Sequence, residues 1–425
     1  MVVRRGPVLL MGALLLAGCA TPGLSTDLDV AAGGLEARPT VIALIDSGIN
    51  PYHEAFRSDS QEVSGLAGIV GAEPLTISRG TDFEESFARD KDLWASVEED
   101  RLYWFEGTRV FAISVGEFRG QRVLDAQNHG TSTAFLAGRE APSAIIVMVQ
   151  IDSLLCDPAE PVSACPIIGQ ESEGMRWVAE QDWIDVVSVS IGFPANPPFT
   201  PEMDAEFAAW LAASRDAAEG GKIVVNGAGN TLTPTLQSYY SGPPWVIAVG
   251  GIEPAQRGDR VESSRGADVV ANHTEWGPDD DSIEGYDWHW GTSFATPVVA
   301  GTLAHALGLV RSARGGEPTA VEADRVADAM ALRAALNASA VTIDPATWDP
   351  TNRTTNKTLL EPHSISIPFL APGQIGWGYV DGGLAEQIAA RVLAGDLDVP
   401  PGKTADAAYM AQWQAARERY WATVG

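Results

Sequence analysis

Apolar residues gather in short continuous runs along this chain, separated by amphipathic stretches. The run at 41–45 (VIALI) is rich in β-branched residues and ends in Asp46-Ser47-Gly48. A run without polar alternation predicts a strand buried on both faces of a parallel sheet. Residues 144–151 (AIIVMVQI), 185–191 (DVVSVSI), 222–227 (KIVVNG) and 245–251 (WVIAVGG) read the same way. Helical windows lie between them: TSTAFLAG after His129, 173–183, and 203–220, the last closing on glycines. Strand and helix in alternation predict an α/β fold, a three-layer doubly wound, mostly parallel sheet with helices on both faces. Residues 57–124 break the rhythm with the acidic EESFARDKD and with 101–115 (RLYWFEGTRVFAISV), a hairpin turning near Glu106-Gly107. They read as an insertion folded onto the main sheet. After Gly315-Gly316, helices are expected near 319–336, 382–395 and 407–421, with a Pro- and Thr-rich loop to about 372. The main domain therefore spans 40–395, followed by a helical tail at 396–425.

Composition adds limits. Of 425 residues, 45% are apolar and 20% charged, enough for a large core. Basic residues number 28 against 56 acidic ones, a net charge of −28 that repels phosphate backbones and argues against a nucleic-acid partner. The chain opens with Arg4-Arg5 and an apolar run from Val8 to Gly18. That run is shorter than the roughly 20 residues a spanning helix needs, and it reads as a secretory signal. Its end, Leu16-Ala17-Gly18-Cys19, resembles the lipobox of bacterial lipoproteins. The resemblance implies cleavage of a 1–18 signal peptide, a lipid thioether on Cys19, and a flexible tether over 19–39. The protein would then be exported and anchored by lipid to the cell membrane or outer membrane, facing periplasm or exterior. No later segment reads as long and apolar enough to span a bilayer. With Cys19 lipidated, Cys156 and Cys165 remain, either as a disulfide closing a short loop or as two free thiols.

Three motifs carry chemistry. Asp46 stands at the end of a strand, where open α/β sheets place ligand sites. His129 opens a helix in Asn128-His129-Gly130-Thr131, and Ser293 opens another in Gly291-Thr292-Ser293-Phe294-Ala295-Thr296-Pro297. Taken singly, these are a turn, a structural histidine and a helix cap. The other histidines, His53, His273, His289, His305 and His363, read as structural. Together, a serine hydroxyl, a base to deprotonate it and a carboxylate to orient the base form a nucleophilic triad.

The chain order Asp46, His129, Ser293 is that of subtilisin, and the motifs resemble those of the subtilisin-like serine proteases, most specifically GTSFATPVVAG. The resemblance covers roughly residues 40–395 and implies a serine endopeptidase acting on proteins or peptides. Ser188-Val189-Ser190-Ile191-Gly192 is similar to the family's substrate-binding strand, which implicates Ser190, Ile191 and Gly192. Ala228-Gly229-Asn230 is similar to the loop bearing the oxyanion-hole asparagine, with Gly229 beside it; Asn226 competes for that role. Ser263-Ser264-Arg265-Gly266 and Gly376-Trp377-Gly378-Tyr379-Val380 are further landmarks.

This sequence also departs from the family. Trp290 precedes Gly291 where a small residue is usual, Ala271-Asn272-His273 replaces an Ala-Pro-Gly, and about twenty residues between Cys19 and Val41 leave no room for the usual inhibitory propeptide. Asp279-Asp280-Asp281 with Glu284 and Asp287 offers oxygen ligands to calcium, but the spacing matches no EF-hand loop and a solvated acidic loop is preferred. No other cofactor is expected. The alternative function is a catalytically retired scaffold that binds peptides.

Overall fold

The computed structural model describes residues 39–116, 121–151, 171–192, 201–230, 239–253, 260–261, 266–315, 322–342 and 375–424. The signal, Cys19 and nearly all of the tether lie outside the described residues, as do Cys156, Cys165, Ser263–Arg265 and the Pro- and Thr-rich loop.

The apolar runs become strands β1 (Val41–Asp46), β2 (Glu73–Leu75), β3 (Tyr103–Phe105), β4 (Val110–Ser114), β5 (Ile145–Gln150) and β6 (Val186–Val189). They continue as β7 (Ile223–Gly227), β8 (Val246–Glu253), β9 (Arg260–Val261), β10 (Val269–Asn272), β11 (Thr274–Pro278) and β12 (Tyr286–Trp290). Helices α1 (Gln61–Val70), α2 (Phe83–Arg89), α3 (Lys91–Ala95), α4 (Gly130–Glu140) and α5 (Glu171–Glu180) come first. They are followed by α6 (Pro201–Glu219), α7 (Thr292–Ala313), α8 (Glu322–Ser339), α9 (Ala385–Ala394) and α10 (Thr404–Val424).

Among the described residues the main sheet has ten strands in the order β10-β8-β7-β6-β1-β5-β4-β3-β2, with β9 paired to β8. From β10 to β4 every neighbouring pair is parallel. The 101–115 segment forms the expected antiparallel hairpin, and β2 to β4 extend the main sheet at one edge.

Strand residues alternate between two cores. Ile42 and Leu44 of β1 pack with α4, α7, α8 and α9, whereas Val41, Ala43 and Ile45 pack with α1, α5, α6 and α10. That alternation makes the three layers, and each fully buried Val, Leu or Ile contributes about 1.5–3 kcal/mol. The stretch read as a tail is part of this packing: α10 buries Met410 and Trp413 in the second core.

One expectation is corrected. Helix α7 is long and apolar enough, by length and composition, to cross a bilayer. Its residues from Thr292 to Leu307 are nearly all buried, because it is covered by the sheet on one side and by α4 and α9 on the other. An apolar circumference here reflects a central core helix.

Candidate active site

The sheet changes direction at β1: the chain runs from β1 outward to β4 and β5 on one side, then to β6, β7, β8 and β10 on the other. Such a reversal opens a crevice at the carboxyl ends of the strands. Asp46 is the last residue of β1, Ser190 follows β6, and Asn230 follows β7 by three residues. His129 caps α4, and Ser293 is the second residue of α7.

Asp46 is buried. Its Oδ1 accepts hydrogen bonds from His129 Nδ1–H at 2.7 Å and from the Ser47 N–H at 2.7 Å, and its Oδ2 accepts from Thr133 Oγ1–H at 3.0 Å. Burial alone would raise the carboxyl pKa, but the charge and hydrogen bond of His129 and the donors Ser47 and Thr133 hold it below the usual carboxylate value. For His129 burial favours the neutral ring, yet the charge and hydrogen bond of Asp46, with the charge of Asp125, leave the pKa above the ordinary histidine value. Gly130 makes this approach possible, since a Cβ there would collide with the Gly48 carbonyl and come within 3.2 Å of Asp46 Oδ1.

The sequence reading missed Asp125. Its Oδ2 accepts from the His129 N–H at 3.2 Å and the Thr131 N–H at 2.8 Å, and its Oδ1 accepts from Ser47 Oγ–H at 2.9 Å and the Gln127 N–H at 3.0 Å. His129 gives α4 no side-chain cap, so Asp125 supplies both the acceptor and the negative charge that a helix N-terminus favours. A carboxylate one turn ahead of an uncapped helix is the sequence signal that would have found it. Thr133, one turn into α4, was missed for the same reason: its hydroxyl acts across to another element.

At α7 the N-cap Gly291 has φ 126°, a backbone region that glycine enters without steric penalty. Pro297 has no N–H for the Ser293 carbonyl four residues earlier. Ser190 Oγ–H donates to that carbonyl instead, at 2.7 Å, while Ser293 Oγ–H donates to the Ser190 carbonyl at 3.1 Å. The Phe294 ring centre lies 5.3 Å from that of His129, so the start of α7 stands beside the imidazole.

Asn230 Oδ1 accepts from the Thr292 N–H at 2.7 Å and Thr292 Oγ1–H at 3.0 Å. This turns the amide nitrogen over Gly291, 3.1 Å from where a Cβ would stand. The Gly229 N–H donates to Thr292 Oγ1 at 3.2 Å. Asn226 is buried on β7, and its Nδ2 donates to the Ile191 carbonyl at 3.3 Å. Its amide is thus engaged at the exit of β6. Ile191 is half-buried and Gly192 exposed.

Strands β11 and β12 form a separate hairpin whose second strand runs directly into Gly291. Trp276, Trp288 and Trp290 are exposed on it. Its acidic turn does not stand free in solvent throughout: Asp280 Oδ2 accepts from the Asn128 N–H at 2.8 Å. Among the described residues no three His, Cys, Asp or Glu side chains gather as a metal donor set.

The family model Peptidase_S8, described as Subtilase family, matches residues 37–361. A curated relative, the subtilisin-like protease SBT4.1 of Arabidopsis thaliana, is 26% identical over 215 residues, or 49% of this chain and 26% of that protein. The chain thus matches about a quarter of that relative's length. Among solved structures, a lanthipeptide protease is similar at 18% identity and a TM-score of 0.48, covering 84% of this chain and 88% of that one. The epidermin leader peptide processing serine protease of Staphylococcus aureus is similar at 16% identity and 0.47, covering 83% and 76%.

Proposed function

Because the chain belongs to the subtilase family, we propose that it is a serine endopeptidase that cleaves protein or peptide substrates through Asp46, His129 and Ser293. The observation that carries the reading is the buried Asp46 carboxylate on His129 Nδ1, 2.7 Å away, with the start of α7 against the same imidazole. Held by Nδ1, the ring presents Nε2 as the base. Ser293 Oγ turns from the Ser190 carbonyl toward Nε2, gives up its proton and attacks the scissile carbonyl. His129 returns that proton to the leaving amine as the C–N bond breaks, and water then hydrolyses the ester of the acyl-enzyme, freeing the acid and Ser293. Asp46 keeps the tautomer and stabilises the imidazolium that forms during attack.

Negative charge on the carbonyl oxygen is met by Asn230 Nδ2 and the Ser293 N–H, which has no helical partner in the first turn of α7. The anchored Oδ1 of Asn230 supports this role, because an amide already fixed to Thr292 need not reorganise during the reaction. Substrate backbone lies along Ser190, Ile191 and Gly192 as an added strand, with Gly229 alongside. The triad chemistry itself needs no cofactor. Lipid on Cys19 places the enzyme at a membrane surface outside the cytoplasm, and a Cys156–Cys165 disulfide braces the neighbouring loop. Both rest on the sequence alone.

A fluorophosphonate probe followed by peptide mass mapping tests the reading, together with digestion of an unfolded protein. Labelling confined to Ser293, with digestion abolished in Ser293→Ala, is expected. Wild-type protein that binds peptides yet neither labels nor digests is a scaffold, and the proposal fails.

A further inference from the structure

His129 is gripped from a side that the three motifs do not include. Asn128, immediately before it, has φ 51°, left-handed backbone that a residue with a side chain rarely adopts. Its N–H donates to Asp280 Oδ2 at 2.8 Å, and its side-chain Oδ1 accepts from the Asp280 N–H at 3.1 Å. This two-way pair joins residues 152 positions apart in the chain. Left to itself, an asparagine side chain bonds to its own neighbouring backbone and offers the chain other conformations. Here its backbone N–H and its side-chain Oδ1 are both taken by one residue of the hairpin turn.

The same turn is fixed at two further points. Asn50 Nδ2–H donates to the Ser282 carbonyl at 2.6 Å, and the Glu54 N–H donates to the Ile283 carbonyl at 2.9 Å. Asn50 and Glu54 belong to the segment that follows Asp46. The turn therefore holds the segment after Asp46 and the residue before His129, while its second strand leads into Gly291 and Ser293.

We infer that Asp280 is a positioning residue for His129: it locks Asn128 in the left-handed conformation from which the next residue delivers its imidazole to Asp46. The role rests on the proposed protease mechanism only in so far as His129 is the base. Partial burial, with Asp125 on the loop before α4 and the adjacent Asp281, pushes the Asp280 pKa up to about 6, against the pull of the Asn128 N–H. A lock made by geometry should survive loss of this charge, because an amide oxygen also accepts from an N–H.

Three full-length proteins decide the matter: wild type, Asp280→Ala and Asp280→Asn. Misplacing a catalytic group by about 1 Å costs on the order of 100-fold. Asp280→Ala is therefore expected to lower kcat by about 10- to 100-fold, with KM within about threefold. Asp280→Asn should recover most of the rate. A second readout is independent of turnover: NMR of histidine-labelled protein follows the His129 Nδ1–H proton shared with Asp46. That resonance should shift or broaden in Asp280→Ala and return in Asp280→Asn. If Asp280→Ala keeps wild-type kcat and an unchanged resonance, or if Asp280→Asn is as impaired as Asp280→Ala, the inference is overturned. If wild type itself neither digests protein nor labels, the protease reading fails while the resonance still reports on Asp280.

Discussion

Helix α7 connects two carboxylate pairs at opposite edges of one sheet, and the pairs differ in kind. At the carboxyl edge, Asp46 faces an imidazole whose side chain is 26% exposed. At the other edge Asp185, just before β6, takes Arg311 through two bonds of 2.9 and 2.6 Å and also accepts from the Val41 N–H at 2.9 Å. Arg311 sits in the last turn of α7, where its charge also suits the helix dipole. Its side chain is only 9% exposed. A guanidinium stays protonated at any working pH, so this pair is permanent. An imidazole gains and loses its proton near neutrality. The helix is thus anchored by a fixed charge at one end and offers a reactive group beside a variable charge at the other.

Substitutions at the two ends should separate catalysis from stability. Ser293→Ala is expected to lower kcat by on the order of 10⁶, since triad members act as a unit. Its unfolding midpoint should barely move. Arg311→Met does the reverse. Removing one partner of a buried pair costs about 3–5 kcal/mol, seen as a lower denaturant midpoint, while the folded fraction keeps its kcat. If Arg311→Met lost turnover without losing stability, the two ends would not be independent.

Asn230→Ala should cost about 2.7–4 kcal/mol in the transition state with KM nearly unchanged. A rise in KM at constant kcat would move Asn230 from oxyanion donor to substrate binder.

The smallest effect is a shift in pH dependence. The base must be neutral, and the His129 pKa stands above the ordinary value of about 6.5. Activity should therefore rise with pH through that elevated value. Asp125→Asn removes one of the raising charges, so its acid limb should move to lower pH. Stability runs the other way. A raised histidine stabilises the fold fully below the unfolded pKa, and that contribution is lost as pH climbs through the folded value. The Arg311–Asp185 pair has no such dependence near neutrality. An acid limb unmoved by Asp125→Asn would leave Asp46 as the sole source of the shift.

What the sequence disclosed follows from how local each signal is. The central strands were legible because VIALI and its kin are continuous and apolar. Asp46, His129 and Ser293 were legible because each lies inside a short motif. The β11–β12 hairpin was not, because its exposed face carries Trp276, Trp288 and Trp290 among acidic residues and a proline, an outline unlike a buried strand. Asp125 and Thr133 escaped notice, and Asp280 was read only as part of an acidic loop, because they act through backbone N–H groups or through a carboxylate on another element. No spacing rule links Asp280 to Asn128 across 152 positions. Helix α7 showed the opposite ambiguity: composition alone does not distinguish a core helix from a spanning one, and only its neighbours decide.

The fully buried Arg417 of α10 has a consequence in time. Its guanidinium holds both oxygens of Asp268, at 2.9 and 3.0 Å, and donates to the carbonyls of Ser241, Gly242, Pro243 and Val246. Asp268 in turn accepts from the Ala248 N–H at 2.9 Å, on β8 between β10 and β7. Ribosomes add about 5–20 residues per second, so the 149 positions between Asp268 and Arg417 correspond to roughly 7–30 s of synthesis. Throughout that interval the nascent sheet lacks the Arg417 guanidinium, although Arg333, 65 positions after Asp268, already reaches Val246 and Asp268. Asp46, His129, Asn230 and Ser293 are all translated before this lock, so the body emerging from the ribosome gains its sites before this part of its supporting frame.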